Sequence, residues 1–170
     1  MDIKELIQQT NAYSDWANRR YFAVAEGLTD EQLHRMQGHS WGDVHAMLVH
    51  IMSSEFLWLE RWRGRSPKAH LNQNDYPTLA AVREHWDKVG AEVRAFLEAQ
   101  TNESLQGVIT YNNLSGETFR VPLWQMFMHM TNHETHHRGE LAGMFALMNV
   151  PHPEEEMIQY FLNLSGQKKF

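Results

Sequence analysis

The stretch Met128 to Gly143, MHMTNHETHHRGELAG, carries four of the eleven histidines in a chain of 170 residues. Residues three or four apart share one face of an α-helix, so His133 and His137 stack one above the other. Leu123, Met126 or Phe127, Met130, His133, His137, Leu141, Met144 and Met148 continue a single apolar stripe at helical spacing. Two imidazoles therefore interrupt a face that is otherwise suited to burial. An imidazole buried without a partner costs about 1 to 3 kcal/mol, and two of them one turn apart ask for a shared partner. A metal ion is the simplest, because imidazole is the commonest metal ligand and this spacing aims both rings at one point. The plainer alternative is a core whose histidines merely hydrogen-bond. Two ligands are too few for a site, so a third must come from another element.

The helix that offers it spans about Trp41 to Arg63, with Ser40 as its cap. Val44, Met47, Leu48, Ile51, Glu55, Trp58 and Trp62 form its inner stripe, and His50 lies on the shoulder of that stripe, in line with Met47, Ser54 and Leu57. His50 is the candidate third ligand by position; His45 and His39 read as exposed or loop residues. The first helix runs from about Asp2 to Glu26, with Ile3, Leu6, Ile7, Thr10, Tyr13, Ala17, Tyr21 and Val24 on or near one face and Gly27 at its end. Trp16 and Asn18 flank that face and read as packing and a local hydrogen bond. Thr29 and Asp30 open a short turn or helix. Gly64 to Tyr76 is a polar loop of a length that often lies near a site. Pro77 and Thr78 start a third helix through about Ala99, which reads as scaffold, and His85 beside its apolar face has no histidine partner.

Val108 to Tyr111 and Glu117 to Val121 are β-type segments around Asn112-Asn113-Leu114-Ser115-Gly116, which predicts a small hairpin. Pro122 suits the first turn of the histidine-bearing helix, which ends near Asn149. Glu154 to Leu164 forms a short amphipathic helix after it. The expected fold is all-α: a four-helix bundle with a hairpin between the third and fourth helices and a short C-terminal helix, in one domain over residues 1–170. Bundle cores are where facing helices build metal sites.

Composition sets further bounds. Hydrophobic residues make up 42% and charged ones 21% of the chain, as in a folded globular domain. With no cysteine, disulfides, thiolate ligands and a cysteine nucleophile are excluded, and any metal falls to His, Asp or Glu. No apolar run approaches the roughly 20 residues of a membrane span, and MDIKELIQQT lacks the features of a signal peptide; a cytoplasmic protein is expected. The formal charge of −6 argues against a nucleic-acid surface. Its local exception, Arg61, Arg63, Arg65 and Lys68, reads as a solvated helix end.

His133-Glu134-Thr135-His136-His137 also matches H-E-x-x-H, in which a helix supplies two metal ligands and a glutamate acts as general base. The extended zincin form fails, because Glu140 and Gly143 stand where Gly and His are required, and no strand series precedes the motif. A zinc hydrolase is thus a lesser alternative, for which Glu154, Glu155 or Glu156 could be offered as the third, carboxylate ligand.

Three stretches together resemble the DinB-like (DNA-damage-inducible) superfamily of bacterial four-helix-bundle metalloproteins: Tyr13-x-x-Trp16-Ala17-Asn18-x-Arg20; His45-x-x-Leu48-Val49-His50-Ile51 leading to Trp58-Leu59-x-Arg61-x-Arg63-Gly64; and Asn132-His133-x-x-x-His137-Arg138-Gly139. The resemblance implies a site of His50, His133 and His137 holding a divalent ion such as zinc or nickel, in a bundle that commonly forms a homodimer. Two features depart from the pattern: Glu140 stands where glutamine is usual, and the run Glu154-Glu155-Glu156 replaces a single acidic residue. Relatives of known activity transfer or isomerise with low-molecular-weight thiols such as bacillithiol, mycothiol or glutathione. The resemblance thus implies a metal-dependent enzyme acting on a small-molecule substrate, a thiol S-transferase first. Glu134 and Arg138 are its candidate catalytic residues, although both read first as support. The alternative is a non-catalytic dimer that binds metal or a stress ligand.

Overall fold

Local capping chemistry fixes where most of the helices begin. The computed structural model describes residues 1–167. Asp2 opens α1 (Ile3–Glu26) through a reciprocal capping box with Glu5. Thr29 opens the short α2 (Asp30–Leu33) in the same way with Gln32. In α3 (Val44–Trp62) the cap is Asp43, whose carboxylate accepts from the Ala46 amide at 2.7 Å. This corrects the expectation for Ser40, whose hydroxyl instead donates to Glu140 at 3.0 Å. Thr78 caps α4 (Leu79–Glu98). Sequence periodicity did not reveal α5 (Asn102–Gln106), which at five residues is too short to show any. The hairpin pairs β1 (Val108–Asn112) antiparallel with β2 (Thr118–Pro122), Ile109 facing Val121. Pro122 then leads into α6 (Leu123–Leu147), and α7 (Met157–Leu164) follows, beginning three residues later than expected.

The four long helices form the bundle: α1 packs on α6, α6 on α3 and α3 on α4, with α1 touching α4 to close it. Apolar side chains gather in two separate clusters. One joins Tyr21, Phe22, Met47, Leu48, Leu141 and Phe145; the other joins Ile7, Leu59, Trp62, Val93, Leu123 and Phe127. Between them runs a buried polar stratum at mid-helix height: Ser14 and Asn18 of α1, His50, Ser54 and Glu55 of α3, and Glu134, His137 and Arg138 of α6. Such groups are costly to bury unless paired, so their partners define where the molecule does something other than fold. Among the described residues, no helix is long and apolar enough to cross a membrane.

Candidate metal centre and its cavity

α3 and α6 bring His50, His133 and His137 together as the spacing predicts. The His50 and His137 Nε2 atoms lie 3.1 Å apart, and those of His137 and His133 lie 3.2 Å apart. A tetrahedral ion bound at about 2.0–2.1 Å sets its nitrogen ligands about 3.3 Å from one another, so this is the spacing of rings sharing a cation. The chemistry of the donors agrees. Glu140 lies 2.6 Å from His137 Nδ1, and a carboxylate only accepts, so Nδ1 carries the proton and Nε2 keeps its lone pair. The Nδ1 atoms of His50 and His133 are buried without partners. Burial, and then the neighbouring imidazoles, pushes His50 down to about 2 and His133 down to about 4. Burial also lowers His137, against the opposing pull of Glu140. The rings are therefore neutral near pH 7, the form that binds a metal without first losing a proton. The residues fit a divalent ion.

The surroundings hold the rings in place. Trp41 stacks on His50, centroids 3.9 Å apart and planes within 15°. His70, from the loop after α3, sits 4.9 Å from His50 by ring centroid, and its Nδ1 lies 3.0 Å from Ser53 Oγ. Beside the cluster, His133 lines a cavity of about 310 Å³ together with His70, His129, Ser54, Arg61 and the hairpin turn Asn113 to Ser115. Burial, and next the Arg61 charge, lowers His70 and His129.

The other candidates lie elsewhere. Glu134 projects about 100° from His133 and meets α1, where it accepts hydrogen bonds from the Ser14 hydroxyl and from Asn18 Nδ2, the latter at 3.0 Å. Arg138 is wholly buried; it donates to Asn18 Oδ1 at 2.8 Å, to Thr135 Oγ1 at 2.8 Å and to Glu155. Both side chains are engaged in the bundle's internal ion network, on faces of α6 away from the histidine cluster. The H-E-x-x-H match accordingly lacks its general base. Of the acidic run, Glu155 is the residue the structure employs, binding Arg138 and accepting from Tyr13 through its carbonyl at 2.9 Å.

Sequence reasoning placed His45 at the surface, yet it is buried, with both ring nitrogens unpartnered and its ring near His34. It missed the stacking role of Trp41 and the inward turn of Arg61. Neither has a local signal, because each depends on a contact made across the fold.

The fold and the site define a class: a helical bundle with one small hairpin, in which two helices bring three imidazoles to one point beside a cavity. Within it, the chain belongs to the DinB family, whose profile matches residues 1–160. It is 25% identical over 137 residues to Protein DinB of Bacillus subtilis, an alignment covering 78% of this chain and 80% of that one. A DinB-like protein of Bacillus cereus superposes with a TM-score of 0.65 at 19% identity, covering 88% of this chain and 95% of the other. A DinB-like protein of B. subtilis gives 0.61 at 15%, covering 86% and 97%. A conserved protein of Enterococcus faecalis gives 0.64 at 13%, covering 85% and 95%. At these identities the structural likeness speaks for the fold alone.

Proposed function

We propose that this protein is a metal-dependent enzyme acting on small molecules, a low-molecular-weight-thiol S-transferase, with His50, His133 and His137 as ligands of a zinc or nickel ion. The supporting observation is the convergence of three neutral imidazoles beside a cavity that one of them lines. Imidazole donors suit both metals, and a site with three protein ligands leaves a position for something else. When bound, the ion supplies Lewis acidity, which lowers the pKa of a coordinated thiol or water. Glu140 holds the His137 proton at Nδ1, the Ser40 hydroxyl holds Glu140, and Trp41 covers one face of His50. The cavity takes the electrophile, whose leaving group is displaced as the thiolate sulfur forms the new carbon–sulfur bond.

An open cavity favours this reading over a purely metal-storing or ligand-sensing dimer, whose ion would be sealed by side chains. We assign the protein to the cytoplasm, the compartment in which the low-molecular-weight thiols of this reaction are kept reduced. We further assign it a homodimeric state, for which α7 offers Met157, Ile158 and Leu164 at the surface. The test is to load the protein with zinc or nickel and follow loss of 1-chloro-2,4-dinitrobenzene with glutathione, bacillithiol or mycothiol. Turnover that disappears in His50→Ala, His133→Ala and His137→Ala is expected. Intact protein that holds neither metal in stoichiometric amount defeats the proposal. Metal-loaded protein that consumes no electrophile with any thiol leaves the binding role in its place.

A further inference from the structure

Arg61 is the outlier of the basic run at the end of α3. Arg63 pairs with Glu92 at 2.6 Å and Arg65 with Glu60 at 2.5 Å, both toward solvent. Arg61 turns inward and is only 7% exposed. Its guanidinium lies over the Trp58 ring at 4.6 Å and the Tyr111 ring at 5.1 Å, which fixes its plane. Its Nε is buried without an acceptor, and among the described residues no carboxylate pairs with it. A buried guanidinium lacking an anion is costly, and this one lines the same cavity as His133. Among the described residues no other arginine or lysine lines that cavity, so it presents a single guanidinium fork, whose parallel N–H donors match the two oxygens of a carboxylate.

We propose that Arg61 anchors a carboxylate of the small molecule that enters this cavity. Its relevance to catalysis rests on the metal-enzyme reading above; the binding itself does not. Asn113 and Ser115, on the hairpin turn, stand on the same wall with neutral polar groups.

Equilibrium dialysis of the intact protein against radiolabelled succinate tests this, with unlabelled succinamide and inorganic phosphate as competitors. Saturable succinate binding is expected, undisturbed by succinamide, weakened about tenfold or more in Arg61→Met and less in Arg61→Lys. Equal binding by wild type and Arg61→Met, displacement by succinamide, or stronger displacement by phosphate than by unlabelled succinate overturns the assignment. The succinamide and phosphate arms need no variant, so they decide even where Arg61→Met folds poorly. Repeating the comparison after chelation separates the two proposals. A charge-dependent difference that persists without metal supports the anchor whatever becomes of the metal centre, whereas a metal-loaded protein indifferent to succinate defeats the anchor alone.

Discussion

Glu140 makes the difference between three histidines that are near one another and three that are oriented. Its 2.6 Å contact with His137 Nδ1 sets the tautomer, and Ser40 restrains it from the other side. Removing such a partner typically lowers metal affinity 10–100-fold. Glu140→Ala is therefore expected to lose zinc affinity by about that factor in a competition titration with a chromogenic chelator. Glu140→Gln, which keeps an acceptor oxygen, is expected to lose less. Glu55 presents the opposite situation. It is buried, accepts from Trp86 Nε1 at 2.5 Å, and is raised well above the usual carboxylate range by burial and then by the charges of Glu134 and Asp15. A carboxyl raised in the native state favours folding below its unfolded pKa and loses that contribution as pH rises through its native value. Glu55→Gln keeps the acceptor for Trp86 and removes this penalty. Its melting temperature should exceed that of wild type at pH 7.5, with the gap closing by pH 4.

At the scale of the element, α6 works on two faces at once. His133 and His137 look toward α3, while Glu134 and Arg138, one residue on from each, look toward α1 and the segment before α7. Arg138 compensates the buried Glu134 and the partly buried Glu155, and breaking a buried ion network by removing one partner costs about 3–5 kcal/mol. Arg138→Met is expected to lower urea stability by that amount, with circular dichroism following the transition. The double variant Glu134→Gln, Arg138→Met should recover part of it.

Much of α6 was legible beforehand. Its apolar period, the i, i+4 histidines and the shoulder position of His50 on α3 are local properties of the chain, and they sufficed to assemble the histidine cluster. What Glu134 binds was not legible, since a 100° step says which way a side chain leaves its helix but not that Ser14 and Asn18 wait there. Arg61 escaped for the same reason. Its sequence context is a basic helix end, and only Trp58 and the hairpin residue Tyr111 together turn it inward. The cap moved from Ser40 to Asp43 because both residue types can cap, and Glu140 on a distant helix claimed the serine.

At the scale of the whole molecule, the bundle is two apolar cores joined by a polar stratum, and pH acts mainly on that stratum. The three histidines have native pKa values below the unfolded value of about 6.5, so their contribution is present above that pH and is lost as pH falls toward their native values. Glu55 and Glu134, both raised, act in the opposite direction. Comparing variants isolates one group from this sum. Relative to His133→Gln, chelated wild type should lose on the order of 2 kcal/mol between pH 7 and pH 4 after allowance for the partial exposure of His133, read from urea midpoints at several pH values.

The hairpin lies outside this arrangement. Its turn is stapled internally, with Asn113 accepting from the Ser115 and Glu117 amides at 2.9 Å each, and its tip from Asn113 to Ser115 closes one side of the cavity. Tips of this kind tolerate inserted residues far better than packed helices do. Evolution or a protein engineer can therefore swap the tip to reshape what is admitted, while the histidines and both cores are inherited unchanged.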